Sequence, residues 1–332
     1  MKRLISGVQP TGEMHIGNYL GAIKNWVKLQ EQYESLFFVA DYHALTVKQD
    51  PQTFPEKIVD TAINIIACGI NPDKSPLFIQ SHILEHANLG WIFNTITPIG
   101  ELNRMTQYKD KSKQHSENIN AGLFAYPTLM AADILIYNTD AVPVGEDQFQ
   151  HLELTRTIAR KFNSIYKSDF FKEPEAIATT GARIMSLTDP FKKMSKSGGV
   201  GSYIALTDNE EVIWQKISKA VTDQNRQRKT DKGNPQQCNL FSLHRLFSSP
   251  DEIKYVDKGC RSAGIGCLEC KKILADNINK EIAPIREKIS YWQKPENKKK
   301  IIEILKQGAD RVRPIAQKNL KKIKQIVGLI EM

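Results

Sequence analysis

A chain of 332 residues and 37.7 kDa is long enough for about two domains and a large buried core. Its 41% apolar and 25% charged residues, with 19 Gly and 15 Pro, exclude a disordered, collagenous or low-complexity chain. No apolar run approaches the roughly 20 residues that span a bilayer, and MKRLISGVQP turns polar before a secretory apolar region is complete, so a cytoplasmic protein is expected.

In chain order, strand-like runs at Arg3–Val8, Leu36–Asp41 and Leu77–Gln80 alternate with helical periods. Leu20, Ile23 and Val27 keep a helical period through residues 19–33, and a second helix is expected over Glu56–Ala67. This βαβ rhythm predicts a doubly wound parallel sheet of Rossmann type. Ligands then belong beyond the carboxyl ends of the strands, where Ser6–Thr11 and Asp41–His43 fall. Residues 107–120 are polar and mixed in charge, the pattern of a mobile surface loop. From about Asp208 only helical patterns remain, at Glu210–Val221, Lys271–Trp292 and Asn297–Val327. The expected architecture is therefore an α/β domain over residues 1–207 and a second, all-helical domain over 208–332.

The net charge of +9 is concentrated, with 14 Lys and Arg against 6 Asp and Glu in residues 280–332. A basic end on a nearly neutral body suits a protein that docks a polyanion there. A solvated, lysine-rich helical surface would look the same.

Two strings carry chemistry. The first, SGVQPTGEMHIGNYLGAI (Ser6–Ile23), runs from the first strand into a helix and contains neither a P-loop nor a dinucleotide fingerprint. Gly12, Gly17 and Gly21 permit close backbone approach, the turn at Ile16–Asn18 offers N–H donors to a phosphate, and His15 and Asn18 add side-chain donors. The second, FKKMSKSGG (Phe191–Gly199), can converge Lys193 and Lys196 on one anion. Its Ser195 and Ser197 can donate hydrogen bonds, and Gly198 and Gly199 favour a loop that closes. Taken singly, the strings read equally as turn chemistry and as a Lys-Ser surface loop.

Together, HIGN after QPTGEMH and the full KMSKS resemble the paired motifs of class I aminoacyl-tRNA synthetases. YPTLMAADILIYNTD (Tyr126–Asp140), VPVGEDQFQHLELTR (Val142–Arg156) and GARIMSL (Gly181–Leu187) make residues 1 to about 225 similar to the bacterial tryptophanyl-tRNA synthetases. The resemblance implies an ATP-dependent ligase that makes tryptophanyl-AMP and then charges tRNA(Trp). It implies that Gln9, Pro10, Thr11, Gly17 and Asn18 hold ATP, that Gly145, Glu146, Asp147 and Ile184 hold its ribose and adenine, and that Lys193, Met194, Ser195, Lys196 and Ser197 grip the departing phosphates, with Mg²⁺ on the triphosphate. Lys193, Lys196, Asn18 and His15 would carry catalysis. Asn18 replaces the second His of the commonest motif, as is usual in this family.

The same resemblance puts specificity on Asp133, in an otherwise apolar stretch and at helical spacing from Leu129 and Met130. Indole offers one N–H and no acceptor, which an ionised carboxylate matches, while Met130 and apolar neighbours would take the ring. Tyr126, His43 and Gln148 would wall the pocket or bind the ammonium, and Lys111 would fold over ATP. Each of these also fits a structural role. A tyrosine-specific synthetase and an inactive RNA-binding relative remain as alternatives.

Cys238, Cys260, Cys267 and Cys270 form C-x21-C-x6-C-x2-C in the helical part, while Cys68 lies far away in an expected core helix. Four thiols can hold Zn²⁺ or a four-iron, four-sulfur (4Fe–4S) cluster, or remain free. A subset of bacterial tryptophanyl-tRNA synthetases carries such a cluster with similar spacing, the first gap here being one residue shorter. The family also implies L-tryptophan, ATP, tRNA(Trp) and a second copy of the chain in a homodimer as partners, with neither membrane nor DNA.

Overall fold

The computed structural model describes residues 1–10, 12–108, 119–145, 148–178 and 184–330. Thr11, Lys111, Glu146 and Asp147, and most of the expected 107–120 loop, therefore lie outside the described residues. Five strands, β1 (Arg3–Val8), β2 (Glu34–Val39), β3 (Leu77–Ile79), β4 (Ala141–Val144) and β5 (Glu175–Ala178), form one sheet in the order β3-β2-β1-β4-β5. Every pairing is parallel. The strand order reverses between β1 and β4, the point at which open α/β sheets bind ligands. β2 starts and ends two residues earlier than its sequence pattern, because Asp41–Ala44 turns into a short helix directly beyond the strand.

The longer helices are α1 (Phe54–Ala67), α2 (Glu85–Ile96), α3 (Ala121–Leu135), α4 (Phe149–Ile165), α5 (Glu210–Lys219), α6 (Asn239–Phe247), α7 (Pro250–Ser262), α8 (Cys267–Trp292) and α9 (Pro295–Ile326). α3 starts on an Asn120 side chain that accepts from the Leu123 N–H at 2.9 Å. The 19–33 region is not one helix. It runs as Ile16–Asn18, a π turn over Tyr19–Ile23 and a helix over Lys24–Leu29.

The chain folds as two compact units, one of residues 1–12, 24–180 and 293–332, the other of residues 13–23 and 181–292. This differs from the boundary expected at 207/208, and local bonding explains both exchanges. Residues 13–23 are stitched into the second unit by Ile16 N–H to Ile204 C=O, Leu206 N–H to Met14 C=O (both 2.9 Å) and Tyr19 Oη to Glu281 at 2.8 Å. At the other end, α9 buries a stripe through Ile301, Leu305, Ala309, Val312, Ala316, Leu320 and Ile323, spaced every three or four residues. Its later members share one core with Ile5, Phe38, Phe78, Leu89 and Leu152 of the first unit.

The basic end is thus partly consumed by the fold. Lys298 pairs with Glu56 at 3.0 Å, and Arg311 donates to the Pro72 carbonyl at 2.7 Å. Lys299, Lys300, Lys306, Lys318 and Lys322 remain exposed.

Two glycines are required by close approach. A Cβ on Gly7 of β1 would lie 2.5 Å from the Phe38 ring of β2, its partner in the ladder. A Cβ on Gly308 would lie 2.0 Å from the Leu77 carbonyl oxygen, because α9 packs its backbone against β3 there. Gly308→Ala should therefore cost about 1–3 kcal/mol of stability through overpacking, read as a lower urea midpoint with an unchanged slope.

Candidate active site

In the first unit a cavity of about 270 Å³ opens at the carboxyl ends of β1 and β4, lined among others by Gly7, Gln9, Phe38, His43, Tyr126, Met130, Asp133, Val142, Gln148 and His151. Tyr126, Met130 and Asp133 reach it from successive turns of α3. Leu129 does not. It faces α2, 3.5 Å from where a Cβ on Gly90 would sit.

Asp133 is 2% exposed, and its surroundings are far from purely apolar. Oδ2 accepts from His43 Nε2 at 2.7 Å, while Oδ1 accepts from Gln80 Nε2 at 2.8 Å and His86 Nδ1 at 2.5 Å. The carboxylate does not depend on a bound guest for its partners: three side chains of the protein already supply them. Burial pushes the Asp133 pKa up, but the His43 charge and the His43 and His86 hydrogen bonds outweigh it and hold the group below the ordinary carboxylate range. A depressed pKa contributes stability that is fully present above the unfolded value and is lost as pH falls through the folded one. Asp133 is therefore ionised throughout the neutral range.

Tyr126 Oη lies 2.7 Å from His151 Nε2. Gln148 is exposed, and its N–H donates to the Gly145 carbonyl at 2.9 Å. Gln9 is half-buried on the cavity wall, and Pro10 is buried beside it. Sequence reasoning missed Gln80, His86 and His151. The first two lie in IQSHILEH, immediately past the carboxyl end of β3, where that rule of ligand placement could have drawn attention to them.

The second unit holds both short motifs. His15 caps the Ile16–Asn18 turn: its Nδ1 accepts from the Gly17 N–H, and Asn18 Oδ1 accepts from the His15 N–H, each at 3.1 Å. The N–H groups expected to be open to a phosphate are occupied, since Ile16 donates to Ile204 and Asn18 to the His15 carbonyl, both at 2.9 Å. Donors for an anion must then come from His15 Nε2, Asn18 Nδ2 and the lysines. A Cβ on Gly17 would press within 2.8 Å of the His15 ring and would dislodge the cap.

KMSKS is anchored by Met194, 3% exposed, whose N–H donates to the Ile184 carbonyl at 2.8 Å. Ser202 Oγ donates to the Ser195 carbonyl at 2.8 Å, Ser195 and Ser197 hydroxyls meet at 2.8 Å, and Gly199 supplies a φ of +88°. Lys193 is exposed and Lys196 half-buried. Both act on His15: burial first, then Lys196 and Lys193, push its pKa down from 6.5 to about 4. Two separated motifs thus meet electrostatically in one unit.

The four clustered cysteines sit at the start of α6 (Cys238), in α7 (Cys260) and in the first turn of α8 (Cys267, Cys270). Cys238, Cys260 and Cys270 pack on a small core of Phe241, Val256 and Ile265. Burial, then the charges of Cys238, Cys260 and Cys267, push the Cys270 thiol up to about 12. Arg226 Nη1 lies 3.7 Å from Cys260 Sγ. Among the described residues no three His, Cys, Asp or Glu side chains are grouped to hold a single metal ion. Cys68 is buried at the carboxyl end of α1.

A family model described as tRNA synthetases class I (W and Y) matches residues 1–283. A tryptophan–tRNA ligase of Deinococcus radiodurans is 46% identical over 336 residues, covering all of both chains, and one of Wolinella succinogenes is 46% identical over 99% of each. The chain belongs to the bacterial tryptophanyl-tRNA synthetases of class I. The crystal structure of the tryptophanyl-tRNA synthetase from Campylobacter jejuni complexed with ADP and tryptophan is 36% identical, with a TM-score of 0.85, covering 98% of this chain and 100% of that one.

The His15 shift fixes a pH dependence. As pH falls, the unfolded chain takes up this proton near 6.5 and the folded chain only near 4, so stability is full above the first value and declines between the two. The loss is on the order of 3 kcal/mol. Urea midpoints at pH 7.5 and 4.5 should show it, and His15→Asn, which keeps a capping oxygen, should remove most of that contribution.

Proposed function

We propose that this synthetase activates L-tryptophan with ATP, giving tryptophanyl-AMP and pyrophosphate, and then transfers tryptophan to a ribose hydroxyl of tRNA(Trp). The observation that carries the reading is the buried, ionised Asp133 beside Met130 on the cavity wall. A carboxylate accepts about four hydrogen bonds, and three are taken. The remaining acceptor site on Oδ2 suits a single N–H. Phe38, Met130, Ile134 and Val142 supply the apolar walls for the indole ring. His43, Tyr126 and Gln148 bind the rest of the amino acid.

No protein nucleophile is required, because the substrate carboxylate attacks the α-phosphorus of ATP and expels pyrophosphate. Catalysis is positioning and charge stabilisation. Lys193 and Lys196 neutralise the departing phosphates, with His15 Nε2 and Asn18 Nδ2 donating to them. By resemblance, Gln9, Pro10 and Gly145 of the first unit and Gly17, Ile184, Ser195 and Ser197 of the second belong to the nucleotide-binding set, and Met194 seats the KMSKS loop. Thr11, Glu146 and Asp147 belong to the same nucleotide set by resemblance. Mg²⁺ arrives with the triphosphate.

A tyrosine-specific site would need polar partners for a phenol where Met130 stands, and an inactive relative would have no use for both motifs intact. Tryptophan-dependent pyrophosphate exchange tests all three. Exchange with tryptophan is expected; exchange with tyrosine instead, or silence, would overturn the proposal. Lys196→Ala should lower exchange by about 10²–10³-fold, and Asp133→Asn should lower kcat/KM for tryptophan by about 10–100-fold.

Residues 208–332 contain the helices that meet the tRNA anticodon end, and the cysteines hold a 4Fe–4S cluster there. Two observations support the cluster: the apolar bed under Cys238, Cys260 and Cys270, and the Arg226 donor beside Cys260 Sγ. Zinc would need its thiolates about 2.3 Å from one point. A cluster would supply a rigid cross-link among α6, α7 and α8. A second copy of the chain covers Leu45 and Trp91, 56% and 72% exposed, which line an apolar hollow of about 300 Å³. The protein acts in the cytoplasm, in keeping with five cysteines that form no disulfide. Anaerobically purified protein should sediment at twice the chain mass and be brown, with iron and sulfide in equal amounts. A colourless, iron-free preparation holding one zinc per chain would reverse the cluster assignment, and a monomer would remove the dimer.

A further inference from the structure

We infer that His86, held by Tyr137, is a positioning residue for tryptophan selection: it fixes the Asp133 carboxylate from behind, so that one acceptor site on Oδ2 is left facing the cavity. The inference rests on the proposed role of Asp133 and assigns the selectivity of that group to a side chain that never meets the substrate.

His86 lies in the first turn of α2, fully buried at 0% exposure, and is not on the cavity wall. Its Nδ1 is 2.5 Å from Asp133 Oδ1, and its Nε2 is 2.8 Å from Tyr137 Oη. An ionised carboxylate only accepts, so Nδ1 carries the hydrogen. When that ring is neutral, Nε2 presents a lone pair, which the Tyr137 hydroxyl fills. Burial first, then Asp133 and Glu85, push the Tyr137 phenol well above its ordinary pKa, so that hydroxyl stays a donor. The tautomer is thereby set by a partner on the far side of the ring.

The ring cannot easily turn. It sits among Phe38, Phe78 and Tyr137, with centroids 6.0, 6.2 and 5.4 Å away. Gln80 and His86 together occupy Oδ1, and His43, which does line the cavity, occupies one side of Oδ2. Three donors from two chain segments therefore define both the rotation of the carboxylate and its single vacancy. Without His86, Oδ1 has an open acceptor site and the carboxylate can rotate. Its preference for a guest with an N–H then weakens, even though the carboxylate itself is still present.

A buried histidine could instead serve stability alone. The ratio of kcat/KM for tryptophan to that for 3-benzothienylalanine, in which sulfur replaces the indole N–H, separates the two, because a ratio taken on one preparation is independent of the fraction folded. A site built around that hydrogen bond should reject the analogue by about 10⁴-fold. His86→Leu should lower the ratio at least tenfold, mainly through a higher KM for tryptophan, and His86→Asn, which restores a donor near Nδ1, should recover most of it. Tyr137→Phe keeps the ring, removes the hydroxyl and should lower the ratio less, and it decides the matter if His86→Leu does not fold. A folded variant that keeps the wild-type ratio overturns the inference while leaving the enzyme assignment standing. Wild-type protein that exchanges with tryptophan but does not discriminate against the analogue overturns it too. Wild-type protein that does not exchange with tryptophan overturns the functional reading itself.

Discussion

A negative charge inside a protein is tolerated only if something answers it, and the candidate pocket of the first unit is organised around the answer given to Asp133. Its carboxylate is withdrawn from water, which alone would favour the neutral acid. Three donors reverse that preference, two from the segment after β3 and one from the short helix after β2. The sheet makes this possible. Parallel strands end together, so the residues following β2 and β3 and the last turn of α3 converge from sequence separations of 90, 53 and 47. Gly7 and Gly308 serve the same end, since the spacing of β1, β2, β3 and α9 depends on side chains that are absent.

The proposed phosphate-binding motifs of the second unit follow a different logic. There the charges are positive and largely open to water, and the group that yields is a histidine. His15 is kept neutral at physiological pH by burial and by two lysines, and spends Nδ1 on a backbone cap. The cap fixes the ring and leaves the hydrogen on its other nitrogen. The lysines are thereby spared a third positive charge next to them. One arrangement fixes the turn and keeps the cationic patch from overcrowding.

Much of this was legible in the chain. The βαβ rhythm, the position of β1 and β3, and the helices at 54–67, 210–219, 267–292 and 295–326 follow from periods of two and 3.6 residues. The pairing of HIGN with KMSKS marked the nucleotide chemistry. Other features left no local trace. Nothing in EMHIGNYLGAI shows that its backbone will bond to Ile204 and Leu206, because strand-like pairing carries no record of its distant partner. The basic character of α9 drew attention to polyanions, while its buried stripe, read by the same helical period, ties it to the sheet. Charge is visible residue by residue. The face that a helix buries depends on what lies opposite.

The donors to Asp133 show the same limit in sharper form. An aspartate in an apolar run announces that a partner must exist, since an unanswered carboxylate would protonate or destabilise the fold. The run itself does not say whether that partner is substrate or protein. Here both shares are needed: an acid answered wholly by the protein would have nothing left to offer a ligand, and one answered wholly by the ligand would not stay ionised in the empty enzyme. Three donors against a capacity of about four fall between these cases. Selectivity for an N–H then follows from the count of acceptor sites left open, a property of the assembled fold that no single residue carries.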